Sequence, residues 1–157
     1  MPDALTVTMP SDTEIEVTRL FNAPAQLVWD AHTQPRLVQR WMLGPDGWTM
    51  PICEIDFRVG GKYRYGWANP KDGRAFEMSG QFKEIAPIER IVHSERFGEM
   101  EAQVTMQLAE SGGKTTMTLK IGYASKQARD AAFATGMTSG MERSYQRLDE
   151  IAAEARL

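Results

Sequence analysis

From Cys53 to Ile121 the chain alternates apolar and polar residues with period two, stretch after stretch. The apolar sets are Cys53, Ile55 and Phe57; Tyr63, Tyr65 and Trp67; Phe76, Met78 and Phe82; Val104, Met106 and Leu108; and Met117, Leu119 and Ile121. Such alternation builds strands with one face for a core and one for water. Turn formers separate them: Gly60-Gly61, Asn69-Pro70-Lys71-Asp72-Gly73, Pro87 and Ser111-Gly112-Gly113-Lys114. Residues 88–97 supply a further strand, and Glu14 to Phe21, with Ile15 and Val17 on one face, supplies an earlier one. Short turns between consecutive strands imply an antiparallel meander, whose apolar face must then be covered.

The segment from Ser125 to Leu157 is the one long helical pattern available to cover it. Phe133, Met137, Met141, Leu148, Ala152 and Ala155 recur at helical spacing with Ile151 beside them, and charged residues fill the other directions. Ser125 is placed to cap its start, without a capping box because position 128 is Ala. At about 1.5 Å per residue such a helix would reach roughly 45 Å. Gly136 and Gly140 lie on or near its apolar side. They imply close backbone packing, a kink, or room for something to lie against the helix. Two short helices are expected after the first strand, one opened by Asn22-Ala23-Pro24 and one after Pro35 with Thr33 as its cap. The fold class is therefore α+β: a curved antiparallel sheet of about six to seven strands wrapped around a long C-terminal helix. Residues 1–12, polar and carrying Pro2 and Pro10, are expected as a loose tail before a single domain over 13–157.

Composition narrows the function classes. A net charge of −3 with no basic run argues against nucleic acid or an anionic membrane as partner. No stretch approaches a transmembrane span, and Met1 to Asp12 lacks a signal-peptide pattern. With Cys53 as the only cysteine, a reducing, cytoplasmic setting is expected. Nothing in the sequence decides between monomer and homodimer.

The ordered set of motifs resembles the SRPBCC (START-like, helix-grip) superfamily, and within it the activator of Hsp-ninety ATPase homologue-like family found widely in bacteria. The resemblance covers roughly residues 13–155. It rests on Arg19-Leu20-Phe21-Asn22-Ala23-Pro24 leading to Val28-Trp29, and on Leu37 to Trp41. Asp56-Phe57-Arg58-Val59-Gly60-Gly61-Lys62-Tyr63, Gly80-Gln81-Phe82-Lys83-Glu84-Ile85 and Glu89 to Glu95 follow, and the series closes on Gly136-Met137, Gly140-Met141 and Leu148. It implies a hydrophobic cavity between the sheet and the C-terminal helix. Other members of the superfamily bind lipids, hormones or polyketides, and some act as cyclases or hydrolases. In the eukaryotic co-chaperones behind the family's name, stimulation of the chaperone ATPase depends largely on a separate N-terminal domain, for which this sequence has no counterpart.

Two groups of residues could carry chemistry. His93 and Glu95 share a strand face with Ile91 and Phe97. If that face is concave, an imidazole and a carboxylate enter an apolar space that would raise the acid's pKa and lower the base's. If it is not, Val92, Ser94 and Arg96 point inward; in either case His93 could simply bond a backbone group and Glu95 pair with Arg19 or Arg96. The aromatic row Tyr63, Tyr65 and Trp67, with Phe57, Phe76, Met78, Met106 and Met117, would equally line a cavity wall or fill a core. Met137 and Met141 would meet it from the helix. Trp41 and Trp48 bracket a loop at 42–50 that is either a lid or a pinned surface segment.

Other signals fail. Gly113-Lys114-Thr115 echoes a phosphate loop, but Leu108 stands where its first glycine belongs. Gly136 and Gly140 sit in a charged helix rather than a membrane segment. His32 and His93 are the only histidines and no zinc spacing exists. His32 is expected at the surface of a helix end, and Cys53 in inert core. No nucleophile elbow is present, and no metal or cofactor is expected. The first functional expectation is binding of a hydrophobic small molecule without dedicated catalytic machinery. The second is a polyketide cyclase- or hydrolase-like enzyme with His93 and Glu95 as acid and base. The third is a co-chaperone-like interaction module.

Overall fold

The computed structural model describes residues 5–155, so the first four residues of the expected tail and the last two of the expected C-terminal helix lie outside the described residues. The strands are β1 (Thr6–Ser11), β2 (Glu14–Phe21), β3 (Thr49–Ile55), β4 (Lys62–Ala68), β5 (Ala75–Ala86), β6 (Arg90–Phe97), β7 (Met100–Ser111) and β8 (Lys114–Tyr123). The helices are α1 (Ala25–Thr33), α2 (Pro35–Trp41), α3 (Lys126–Ala134) and α4 (Met137–Ala155). The strands form one 8-stranded antiparallel sheet in the order β1-β2-β8-β7-β6-β5-β4-β3. The meander from β3 to β8 is thus completed by β2, which the intervening α1 and α2 allow to return beside β8. The period-two apolar sets supply its inner face: Tyr63, Tyr65 and Trp67 on β4, Val104, Met106 and Leu108 on β7, and Met117 and Ile121 on β8 are all buried.

Three features differ from the sequence expectations. The sheet holds eight strands rather than six or seven, because Thr6–Ser11 pairs with β2 where a loose tail was expected. Nearly all of β1 is exposed, so it has no apolar face to produce an alternating signal; its backbone ladder to β2, with Val7 packed on the core and Arg129 donating to the Ser11 carbonyl at 2.7 Å, holds it at the sheet edge. The single long helix is divided at Thr135-Gly136. Gly136 has φ of +80°, a left-handed conformation that glycine adopts freely and that ends a helix. Ser125 does cap α3, its Oγ accepting from the Ala128 N–H at 3.0 Å. The break turns Phe133 outward, 41% exposed, although the helical spacing had put it on the covered face. Finally, Thr33 does not cap α2. Gln34 occupies that position, and the Thr33 hydroxyl donates instead to the Trp29 carbonyl at 3.0 Å.

His32 also departs from its expected surface position. It is half-buried, its Nδ1 lies 2.7 Å from the Val28 carbonyl, and its ring meets Trp41 edge-on at 4.8 Å. Burial pushes its pKa down to about 4. The folded value is depressed below the unfolded one, so the neutral ring stabilises the fold above about pH 6.5 and that contribution is lost as pH falls towards 4. An NMR titration should find the His32 imidazole neutral at pH 5; a midpoint near 6.5 would place the ring in water.

Helix α4 lies across the inner face, burying Tyr145, Leu148, Ile151 and Ala152. The 42–48 loop is bound to it along its length. Gly44 N–H donates to Ser144 Oγ at 2.8 Å, Arg147 donates to the Gly44 carbonyl at 2.7 Å, and Arg143 and Arg147 both reach Asp46 at 2.9 Å. A Cβ at Gly140 would sit 3.5 Å from Pro45, so this glycine lets the loop approach the helix closely.

Candidate functional site

Strand β6 decides the chemistry of the inner face. Ile91, His93 and Glu95 stand opposite Met106, Val104 and Ala102 of β7. Directly opposed residues share a face, and these β7 partners are buried core. His93 and Glu95 therefore point toward α4, and Arg96 points away to pair with Glu101 at 3.7 Å.

Tyr63 organises one side of this region. Its ring lies 4.9 Å from Tyr65, 5.5 Å from Phe82 and 5.2 Å from His93. It rests over Gly80, which is opposite it on β5. Its hydroxyl donates to the Ser94 carbonyl at 2.7 Å and lies 3.1 Å from His93 Nδ1, which is itself 3.1 Å from the same carbonyl. With the Tyr63 hydrogen directed at Ser94, Nδ1–H is placed to donate to the phenol oxygen and the carbonyl. Burial lowers the His93 pKa, so the ring is a neutral, backbone-anchored imidazole.

Glu95 has no such anchor. Among the described residues it has no hydrogen-bond or ion-pair partner. Arg19 is committed elsewhere, to Glu142 and Asp149 at 3.0 Å each. Burial pushes the Glu95 carboxyl up to about 7. On top of their own burial, the Glu95 charge further raises the pKa values of Tyr63 and Tyr65 on β4, Tyr123 on β8 and Tyr145 on α4. The hydroxyls of Tyr65 and Tyr145 also have no hydrogen-bond partner among the described residues. Yet Arg19 Nη1 is the one described side-chain polar atom that is both sealed from solvent and unpaired. The Tyr65, Tyr145 and Glu95 oxygens must therefore border space that a water-sized probe reaches.

The buried apolar residues fall into two clusters consistent with that space. One gathers Phe21, Tyr63, Tyr65, Met106, Met117 and Tyr145; the other gathers Ile15, Val17, Val104, Ile121 and Tyr123, capped by Ala132 of α3. The Glu95 charge reaches tyrosines of both. Met141, half-buried on α4, packs against both, and Met137 accepts a weak hydrogen bond from the Tyr123 hydroxyl at 3.8 Å. At one end of β4–β6 an aromatic row continues outward. Trp67 stacks on Phe76 at 4.9 Å, Phe76 meets Trp48 and Phe97 at 5.2 Å each, and Phe76 and Phe97 are 38% and 42% exposed.

The residues singled out in the sequence are thus only partly brought together. Tyr63, Tyr65, His93, Glu95 and Met141 converge. Trp67, Phe76, Met78 and Trp48 line the outer end. Trp41 stacks on Tyr145 at 5.4 Å from the far side, and Phe57 is wedged between Trp29 and Phe82 at 5.7 and 5.1 Å, both packed with the short helices. Met117 is fully buried core. Tyr123 and Tyr145 were missed, and Arg19, named in the sequence only as a possible partner of Glu95, pairs instead with Glu142 and Asp149. Each continues a pattern already visible: Tyr123 follows Ile121 in alternation, Tyr145 follows Met141 by one helical turn, and Arg19 falls between Val17 and Phe21.

Cys53, half-buried opposite Tyr65, is pushed by burial to about 11 and stays a thiol. Among the described residues no group of three His, Cys, Asp or Glu side chains is placed to hold a metal ion. A shallow groove of about 510 Å3 lies elsewhere, lined by Arg90, Gln107, Thr116 and Thr118 among others, and takes in neither His93 nor Glu95.

The Glu95 environment has a measurable consequence. Its folded pKa is raised above the unfolded value, so below about pH 4.5 the carboxyl is neutral in both states and costs nothing. Between about 4.5 and 7 the unfolded chain ionises first and stability falls; above 7 the penalty is constant. Glu95→Gln should therefore raise unfolding free energy by about 2–3 kcal/mol at pH 8 and by little near pH 4. Equal effects at both pH values would mean that Glu95 is solvated.

A curved antiparallel sheet closed by a C-terminal helix defines a helix-grip protein. The chain belongs to the family described as Activator of Hsp90 ATPase homolog 1-like protein, whose model matches residues 22–153. A crystal structure of a protein from Rhodobacter sphaeroides is similar over 96% of this chain and 98% of its own, at 33% identity and a TM-score of 0.89. An AHSA1-like protein from Aeromonas hydrophila shares the fold at 18% identity and a TM-score of 0.72, over 87% of this chain and 93% of its own. CalU16 from Micromonospora echinospora does so at 19% and 0.66, over 97% and 76%. Among curated proteins none matches. No described helix is long and apolar enough to cross a membrane.

Proposed function

We propose that the protein binds a largely apolar small molecule between the sheet and α4, without dedicated catalytic machinery, and that it does so in a reducing, cytoplasmic setting. The observation that carries this reading is the set of unpaired oxygens on Tyr65, Tyr145 and Glu95, gathered where the inner face of the sheet meets α4. A filled core would leave such groups bonded or absent, because an unpaired buried polar group is costly. Ligand pockets are apolar with a few convergent polar groups, and the exposed Phe76 and Phe97 offer an apolar approach. Binding should raise the melting temperature by mass action. A broad apolar library that produces no thermal shift, together with native mass spectra showing only the apo mass, would overturn the proposal.

The enzyme reading keeps one supporting feature, a Glu95 carboxyl that titrates near neutrality. His93 suits it less well, being neutral and tied to Ser94. Turnover that persists in both Glu95→Gln and His93→Ala would remove it. The chaperone-partner reading has weaker support still. Of the exposed large apolar residues only Phe76 and Phe97 meet, while Met9, Val59, Ile88 and Phe133 come from separate elements, so no broad patch forms among the described residues. An unchanged chaperone ATPase rate in its presence would dismiss it.

A further inference from the structure

Resting on the binding reading above, we infer that the ligand is an amphipathic organic cation: a hydrophobic primary amine whose ammonium is held by Glu95 and the tyrosines around it. The argument is one of charge and satisfaction. Among the described residues of the inner face, Glu95 is the one unpaired carboxyl, and no unpaired basic side chain stands beside it. The groups facing it are His93 on its own strand, Tyr63 and Tyr65 on β4, Tyr123 on β8 and Tyr145 on α4. His93 is anchored to Ser94, and the tyrosines hold their protons. None is a cation.

Each competing ligand class leaves a deficit. An anionic ligand would meet the Glu95 carboxylate. It would also lack a cation to receive it, since buried Arg19 is held by Glu142 and Asp149, and buried Arg129 by Asp130 and the Ser11 carbonyl. A purely apolar ligand would desolvate Glu95 further and leave the Tyr65 and Tyr145 hydroxyls unbonded. An ammonium answers all of these. It supplies the missing countercharge, and two phenol oxygens are available as further acceptors. Its apolar body then has Met141 and the outer row of Trp67 and Phe76 to lie along.

The pH dependence separates this from a neutral ligand. An ammonium needs ionised Glu95, so its affinity should rise from pH 5.5 to pH 8.5. A carbonyl-bearing ligand would use protonated Glu95 as a donor, and its affinity should fall over the same range. The test uses three probes of one skeleton, 4-phenylbutylamine, 4-phenylbutanol and 4-phenylbutyrate, titrated calorimetrically into the wild-type protein and into Glu95→Gln at both pH values. The expected result is binding of the amine about tenfold or more tighter than the alcohol at pH 8.5, with the acid weakest. That advantage should vanish in Glu95→Gln, whose folding is checked by its thermal unfolding. Equal amine and alcohol affinities, tighter acid binding, or an amine preference unchanged in Glu95→Gln would overturn the inference and leave the binding reading intact. Failure of all three probes and of the apolar library would overturn the binding reading itself.

Discussion

Gly80→Ala is expected to cost about 3 kcal/mol or more of unfolding free energy, at the upper end of what overpacking one methyl does. The added Cβ would lie 1.9 Å from the Ser94 carbonyl oxygen and 2.6 Å from Tyr63 Cε1. The ring could swing away, but the carbonyl belongs to the neighbouring strand and cannot move without distorting the β5–β6 ladder. Gly80 has no unusual backbone angle, so its role is steric. Its absence of a side chain lets Tyr63 lie flat enough to bond Ser94 and hold His93. Gly122→Ala is the matched control. It also sits in a strand, but its nearest neighbour would be Gln103 O at an ordinary 3.9 Å, and it should be nearly neutral. Urea unfolding of the two variants side by side checks the claim. A loss below about 1 kcal/mol at Gly80 would mean that Tyr63 is not seated as described.

The same residue illustrates how much of the site was readable. The alternation from Cys53 to Ile121 specified the sheet and its inner face, because a period-two pattern with one apolar side has a single sensible burial. It could not specify β1, whose residues are exposed on both sides. Nor could it orient β6, because Ile91 and Val92 are adjacent and both buried, so neither phase of the alternation is more apolar. The positions of His93 and Glu95 followed only once β7 was laid beside them. A glycine in a strand announces close approach without saying of what, and the Tyr63–Ser94 contact is long-range. The division of the helix was legible only as one of the alternatives that Gly136 and Gly140 offered, a kink, for a related reason. Gly136 interrupts a face that remains amphipathic on both sides, so the pattern reads through the break.

Arg19→Ala should cost about 3 kcal/mol, the low end of the range for breaking a buried ion pair. The side chain is 1% exposed and its guanidinium is fixed by Glu142 and Asp149, which are 23% and 32% exposed. Removing the cation leaves two carboxylates over an apolar face, although water reaches both and softens the loss. The stem and guanidinium also pack over Phe21 and Tyr145, at 5.0 and 5.9 Å from the ring centroids, so alanine opens a gap between β2 and α4. Arg19→Met separates these contributions, since it restores volume without charge. Arg19 already carries an unpaired, sealed Nη1 and the desolvation cost of a buried cation, so methionine should recover most of the loss. The pH dependence has a definite sign. The Glu142 pKa is raised by burial, but its bonds to Arg19 outweigh that and hold it below 4.5. The stabilisation is therefore present above that pH and is lost as Glu142 protonates in the folded state. The advantage of wild type over Arg19→Met should shrink below about pH 4. If methionine proves as damaging as alanine at neutral pH, and that loss disappears in acid, then charge rather than packing against α4 explains why an arginine occupies the inner row of β2.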